Sequence, residues 1–461
     1  MTSPDSVSTW LDEHFADLVA RHQVPGASVA VLADGEIVDA AAGVLSTATG
    51  VGATTDSVFQ IGSITKLWTT SLLMRAVDDG TLDLDVPLRT YLPEFQVGDD
   101  AASATITTRQ LLCHTAGFEG DVFTDTGRGD DAIGKFLAEL HGLPQLFAPG
   151  AMFSYNNAGF ALLGRLVEVL HGMPYDRALT GLLAEPLGLT HVAPSPYEAI
   201  LHRAAVGHVQ GPEGGWAAAP VWALARSNAA AGSMLAMRSR DLVTFAGMHL
   251  AGGLAPDGTR VLSEQSAAAM QTQQVTVPVV SPMGDAWGLG WTISRTGGGT
   301  VVSHDGGTIG QAAFLRVVPG ANVAVALLTN GGDVFGLYRD VVQHLTSELA
   351  GVTLADRPVP PAEPGAVDHA RCAGTYSDTI YDLVVSRDDA DRVWLDRTPK
   401  DVLAEIGEQP FRTELVRYAD DALIAVDAPN GVHTVYAFLG DDGAGRAAYI
   451  HYGRAVARAL S

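Results

Sequence analysis

Ser63 and Lys66 stand three residues apart in 59-FQIGSITKLWTT-70. If Gly62 and Ser63 open a helix, positions i and i+3 share a face and the amine reaches the hydroxyl. A serine hydroxyl is a weak nucleophile until a base takes its proton, and a lysine with a depressed pKa is one such base. The chain holds three lysines, Lys66, Lys135 and Lys400, among 28 Lys and Arg residues, so a chance pairing is less expected than usual. Arginine-rich usage explains the general scarcity, and Ser-x-x-Lys alone is a weak motif.

Two further stretches carry candidate groups. In 149-PGAMFSYNNAGFALLGRLVEVL-170, Tyr155 and Asn157 lie in a turn before an apolar helix, spaced to point the same way if extended. A tyrosine beside a lysine ammonium has its phenolate favoured and can serve as a base. The plainer reading is that Tyr155 packs while Asn157 caps the helix. In 301-VVSHDGGTIGQAAFL-315, His304 ends a strand-like run and precedes Gly306 and Gly307, where glycine lets a substrate backbone approach a sheet edge. A lone histidine beside a strand is more often structural. Cys113 and Cys372 are the only cysteines, far apart, so a disulfide framework is excluded and ligand pairs at metal spacing are lacking.

These groups need elements to hold them. Trp10, Leu11, Phe15, Leu18 and Val19 repeat at helical spacing over 7–22, and 27-ASVAVLADGEIVDAAAG-43 reads as a hairpin about an Asp-Gly turn. The pattern is mainly helical from about 63 to 250. Strand-like runs return at 286–294, 299–307, 311–319 and 321–330, and 333–350 reads as a closing helix. The segment 355-ADRPVPPAEPGAV-367 holds four prolines in thirteen residues and reads as a linker. Beyond it YDLVVSR, DRVWLDR, DVLAEI, FRTELVRY, ALIAVDA, HTVYAFL and AAYIHYG alternate like short strands. They predict a small antiparallel barrel.

Composition sets outer bounds. At 461 residues the length suggests two or three domains, and 47% hydrophobic against 17% charged residues supplies a sizeable core. A net charge of -24 argues against a nucleic-acid partner. No apolar run approaches the roughly 18 residues of a membrane span. The acidic start, MTSPDSVSTWLDEHF, shows no signal peptide, so a cytoplasmic location is expected.

Taken together, Ser63-x-x-Lys66, Tyr155-x-Asn157 and His304-x-Gly306 resemble the active-site triplet of penicillin-binding proteins and class C β-lactamases. The words 111-LLCHTAGF-118, 149-PG…FSYNNAGFALLG-164, 231-AGSMLAMRSRDLVTFA-246 and 288-GLGW-291 are similar too. The resemblance spans roughly 8–350. It implies an α/β (α+β) β-lactamase/transpeptidase-like domain, an antiparallel sheet with a helical subdomain, over 1–352. A Pro-rich linker over 353–368 and a small all-β lipocalin-like barrel over 369–461 would follow. It also implies roles: Ser63 as the acylated nucleophile, Lys66 and Tyr155 sharing proton transfer, and Asn157 orienting Lys66 and the substrate amide. His304 would line the site, and the backbone N–H groups of Ser63 and Gly307 would form the oxyanion hole. No cofactor and no metal are implied. His114 reads as structural, and a subdomain interface is expected near 220–235.

His-Asp-Gly stands where typical β-lactamases and carboxypeptidases carry Lys-Thr-Gly, so a fixed cation for a substrate carboxylate is missing. The histidine form is similar to esterases, D-aminopeptidases and acyltransferases of the family. The appended barrel resembles that of penicillin-binding-protein-type thioesterases, stand-alone enzymes that release and cyclise nonribosomal peptides. A trans-acting peptide cyclase is therefore expected, taking a peptidyl thioester from a carrier protein and favouring a D-residue at the acylating carbon. A cytoplasmic D-specific peptidase or esterase is the alternative; a penicillin-recognising sensor or scaffold is a third reading that the intact triplet disfavours. Arg454, in 449-YIHYGRAVAR-458 at the end of the last strand, either steers the peptide or is a surface charge. Oligomeric state is not readable.

Overall fold

In the computed structural model, residues 3–211, 214–278, 283–400, 404 and 408–459 are described. Helix α1 (Pro4–Arg21) opens the chain, its first turn capped by Ser3, which accepts from the Ser6 N–H. The hairpin follows as β1 (Gly26–Ala33) and β2 (Glu36–Gly43). Asp34 and Gly35 both take positive φ at its tip, the geometry a two-residue turn between twisted strands requires.

Six later strands complete an antiparallel sheet: β3 (Val275–Thr276), β4 (Ala286–Trp287), β5 (Thr292–Thr296), β6 (Gly299–Thr308), β7 (Gln311–Val318) and β8 (Val323–Thr329). Their order is β2-β1-β8-β7-β6-β5-β4-β3, so the first hairpin closes beside the last strand. Alternation sorts side chains between two layers. Ala27, Val29 and Val31 pack with α1 and the C-terminal helical segment on one face, whereas Ala30 joins the helical subdomain on the other.

Three helices matter most for the site: α2 (Thr65–Asp78), α3 (Asn157–His171) and α4 (Ser239–Leu250). Eleven of the fourteen residues of α2 are buried, so this is a core helix rather than a surface one. Its hydroxyls tolerate burial by donating to backbone carbonyls: Thr70 to Lys66 and Ser71 to Leu67, each at 2.8 Å. Trp68 stacks on Phe245 of α4 with ring centroids 4.3 Å apart, which locks α2 in place. Pro-rich residues 353–368 form neither helix nor strand.

The C-terminal region is a closed antiparallel barrel of eight strands, from β9 (Gly374–Ser377) through β10 (Tyr381–Arg387), β11 (Val393–Pro399), β12 (Phe411–Ala419), β13 (Ala422–Ala425) and β14 (Val435–Leu439) to β15 (Tyr449–His451) and β16 (Ala455–Arg458). The run DVLAEI, expected as a strand, lies almost wholly outside the described residues. The count of eight is reached differently from the sequence reading. Gly374–Ser377 contributes a strand, and β16 adds another beyond the last run, which holds only β15. Tyr376, Leu383, Leu395, Tyr436 and Phe438 fill the lumen, so this barrel has a packed core. Arg454 accordingly sits in the β15–β16 hairpin, not at the end of the last strand.

That hairpin is bonded to the loop that leads into α3. The Tyr449 hydroxyl donates to the Leu146 carbonyl at 2.8 Å, and the Ala455 N–H to Ser154 Oγ at 3.0 Å. The Tyr155 N–H donates to the Gly453 carbonyl at 2.9 Å. His451 Nε2 donates to the Phe153 carbonyl at 2.9 Å while Nδ1 accepts from the Gly453 N–H, which settles a neutral tautomer. A second barrel turn reaches the same region where the Thr379 N–H donates to Glu119.

Candidate active site

Ser63 lies in a single 3-10 turn, Gly62–Ile64, that runs directly into α2. Gly62 has a φ of 51° there, and a Cβ on it would sit 2.6 Å from the Gly307 nitrogen. A Cβ on Gly306 would lie 1.9 Å from the Ile61 carbonyl oxygen and 3.0 Å from the Ser63 nitrogen. The Gly62–Ser63 and Gly306–Gly307 backbones therefore touch, a closeness only glycine permits. Space opens beside Gly307, whose nitrogen lies against the Gly62–Ser63 turn.

Lys66 is fully buried, and its Nζ has three neighbours: Ser63 Oγ at 3.1 Å, Asn157 Oδ1 at 2.8 Å and the Ala231 carbonyl at 2.6 Å. Burial pushes the amine well below the usual lysine range; the Arg454 charge adds to this and Asp121 opposes it. In its neutral form the amine has two N–H donors and one lone pair. The Asn157 and Ala231 oxygens can only accept, so they take both donors and the lone pair is left for the Ser63 hydroxyl.

Tyr155 stands between Lys66 and the barrel. Its ring centroid is 4.8 Å from Lys66 Nζ and 5.2 Å from the Arg454 guanidinium carbon, and its hydroxyl bonds Ser63. Burial raises its pKa, overcoming the Ser63 bond and the Arg454 charge. The sequence expectation of a favoured phenolate is thus corrected. Burial outweighs the neighbouring charges, so Tyr155 rests as a phenol. Asn157 is the first residue of α3, but Asn156 caps that helix, accepting from the Gly159 N–H at 2.6 Å. The amide of Asn157 is free for the site instead.

His304 sits on β6, 3% exposed, with Nδ1 donating to the Asp305 carbonyl at 2.7 Å. Burial, then the Lys66 charge, pushes its pKa down to about 4. It is a neutral imidazole whose Nε2 is buried and unpaired among the described residues. His114 keeps a structural place: its Nδ1 accepts from the Asn156 N–H at 3.0 Å and its ring stacks on Tyr155 at 4.4 Å. The segment 226–231, inside the expected interface, brings the Ala231 carbonyl to Lys66.

Two participants escaped the sequence reading. One is that carbonyl, which no side-chain motif announces. The other is Asp121, whose Oδ1 accepts from Asn157 Nδ2 at 2.8 Å and whose carboxylate pairs with Arg454. Its position directly after 111-LLCHTAGFEG-120 was the available signal. Among the described residues no His/Cys/Asp/Glu group could hold a metal ion, and no helix is long and apolar enough to cross a membrane.

A serine on a buried lysine, under a helical subdomain and beside an antiparallel sheet, defines a serine enzyme of the penicillin-binding-protein type. The chain belongs to the β-lactamase family, whose model matches residues 11–346. It is 44% identical over 370 residues to penicillin-binding protein 4 of Amycolatopsis lactamdurans, covering 79% of this chain and 96% of that protein. The crystal structure of SurE is similar over 99% of both chains, at 34% identity and a TM-score of 0.78; SurE with D-Leu gives 32% and 0.74, again over 99% of each. The D-amino acid amidase of Ochrobactrum anthropi covers 71% of this chain and 91% of its own, at 25% identity and a TM-score of 0.59.

Proposed function

We propose that the protein is a serine acyltransferase that releases a peptide from a carrier thioester and closes it head to tail, with a D-residue at the acylating end. The observation that carries this reading is the β15–β16 hairpin of the barrel built into the wall of the Ser63 site. Likeness to SurE over both domains, including a form with D-Leu, supports it. A carrier-bound substrate also agrees with a cytoplasmic location.

Ser63 Oγ attacks the thioester carbonyl as its proton passes to the Lys66 lone pair. The oxyanion takes hydrogen bonds from the Ser63 and Gly307 N–H groups. Collapse breaks the C–S bond, and the proton returns through Lys66 and the Tyr155 phenol to the leaving thiolate. The peptide's N-terminal amine then attacks the ester, its proton leaves by the same groups, and Ser63 Oγ–H is restored. His304 Nε2 offers a lone pair to a substrate N–H, with Gly306 keeping the strand edge clear for the peptide. Because Arg454 is paired with Asp121, its role toward the peptide is to shape the wall rather than to bind a free carboxylate.

Hydrolysis is the second reading, favoured by the likeness to D-amino acid amidase. A linear peptide ending in D-Leu, supplied as its N-acetylcysteamine thioester, separates them by mass spectrometry. Cyclic peptide is the expected product, and Ser63→Ala is expected to give none. Linear acid alone would sink the cyclase reading.

A further inference from the structure

Asp121 has no place in the chemistry above, yet its side chain, 8% exposed, stands between two donors from different domains. Asn157 Nδ2 donates to its Oδ1 at 2.8 Å; Arg454 donates to Oδ2 through Nε and to Oδ1 through Nη2 at 3.3 Å. A carboxylate accepts and never donates, so only one orientation of the Asn157 amide is compatible with it. In that orientation Oδ1 faces Lys66 at 2.8 Å. A flipped amide would set an oxygen against Asp121 and an NH2 group against Lys66, drawing the lysine lone pair away from Ser63.

We propose that Asp121 is a positioning residue: clamped by Arg454 of the barrel, it fixes the Asn157 amide so that Lys66 keeps its lone pair for Ser63. Docking of the barrel thereby becomes a condition for a working base. The inference rests on Lys66 acting as the base toward Ser63, and is independent of which acceptor finishes the reaction.

The pair also tunes the amine. Facing Lys66 are the Tyr155 and Phe160 rings, His114 and His304 held neutral by burial, the Arg454 cation and the Asp121 anion. Facing Asp121, besides Asn157 and Arg454, are Glu119, Asp378 and Tyr452, all with pKa values raised, by burial first. Arg454 drives Lys66 down and Asp121 pulls it up. Loss of either member therefore moves the amine in opposite directions.

The test is phosphonylation of Ser63 by a fluorophosphonate, followed by intact-protein mass from pH 5 to 10 on the full chain. Here Oγ–P forms, P–F breaks, fluoride leaves and Lys66 takes the proton. Absence of labelling in the wild-type protein would defeat the base assignment itself. With labelling present, the rate rises with pH through the Lys66 titration. Arg454→Met should move that rise to higher pH and Asp121→Asn to lower pH, each by roughly one unit. Both variants should also lose at least tenfold in the plateau rate, and Asp121→Glu should restore part of it. Shifts of the same sign, or none, would overturn the proposal. If Asp121→Asn does not fold, Arg454→Lys against Arg454→Met decides: the lysine variant holds the wild-type pH position, and equal profiles would overturn it.

Discussion

At the scale of the residue, the site depends on hydrogen-bond arithmetic around Lys66. Three neighbours surround an amine whose pKa burial drives down, and only Ser63 among them has a hydrogen to give. In the proposed mechanism the lysine, once neutral, is the base and Tyr155 the acid, a division that a phenol with raised pKa supports. Tyr155→Phe keeps the stack on His114 and the edge contact with Trp287, and loses only the hydroxyl toward Ser63. Its acylation rate, followed by burst kinetics with the thioester, should fall roughly 10²-fold. Its melting temperature should stay near that of the wild type. A variant acylated at the wild-type rate would remove Tyr155 from proton transfer.

At the scale of the element, two backbones touch where the oxyanion pocket is proposed. The turn before α2 meets β6 at Gly306, where an added Cβ would fall 1.9 Å from the Ile61 carbonyl oxygen. Gly306→Ala must push the strand from the turn and so separate the Ser63 and Gly307 donors. Acylation should drop on the order of 10²-fold, the loss that misplacing a donor costs. Chemical denaturation should register only about 1–3 kcal/mol. Equal acylation by the two proteins would show that these donors do not hold the oxyanion. Gly232 seats the opposite wall in the same way, with φ at 116° and a Cβ position 2.3 Å from the Gly62 carbonyl oxygen.

At the scale of the whole molecule, the barrel closes one wall of the candidate site. Its hairpin supplies Gly453 and Arg454 to the wall and braces the loop from Leu146 to Tyr155. Removal of residues 353–461 should cut fluorophosphonate labelling of Ser63 about 10²-fold or more, because the loop that positions Tyr155 and Asn157 loses its partners. Undiminished labelling of the isolated domain would contradict this. Stability should also depend on pH through buried histidines. His304 and His451 are pushed down to about 4 and His249 to about 3, each chiefly by burial. Below about pH 6.5 the unfolded chain binds protons that the folded protein refuses, so stability falls as pH drops toward 4. The slope is on the order of 1 kcal/mol per pH unit for each histidine. Melting temperatures at pH 7 and pH 5 should show the fall, and His249→Gln should flatten it. A midpoint that holds steady or rises on acidification would refute this.

How much was legible beforehand follows from the range of the interactions. Ser63 and Lys66 declared themselves because their spacing is local to one helix, and the hairpin at Asp34–Gly35 and the alternating strands are local in the same sense. The family words around Tyr155, Asn157 and His304 carried the resemblance, and with it the two-layer fold. Sequence by itself thus determined the candidate site residues, the antiparallel sheet and a trailing barrel. It could not show where those parts meet. Lys66 finds Asn157 across 91 positions and the Ala231 carbonyl across 165, while Arg454 reaches Asp121 across 333. The lowered pKa of Lys66, the resting phenol of Tyr155 and the choice of Asn156 rather than Asn157 as cap were decided only by the tertiary structure. Each depends on desolvation or on a distant partner, and no local pattern in the chain records either.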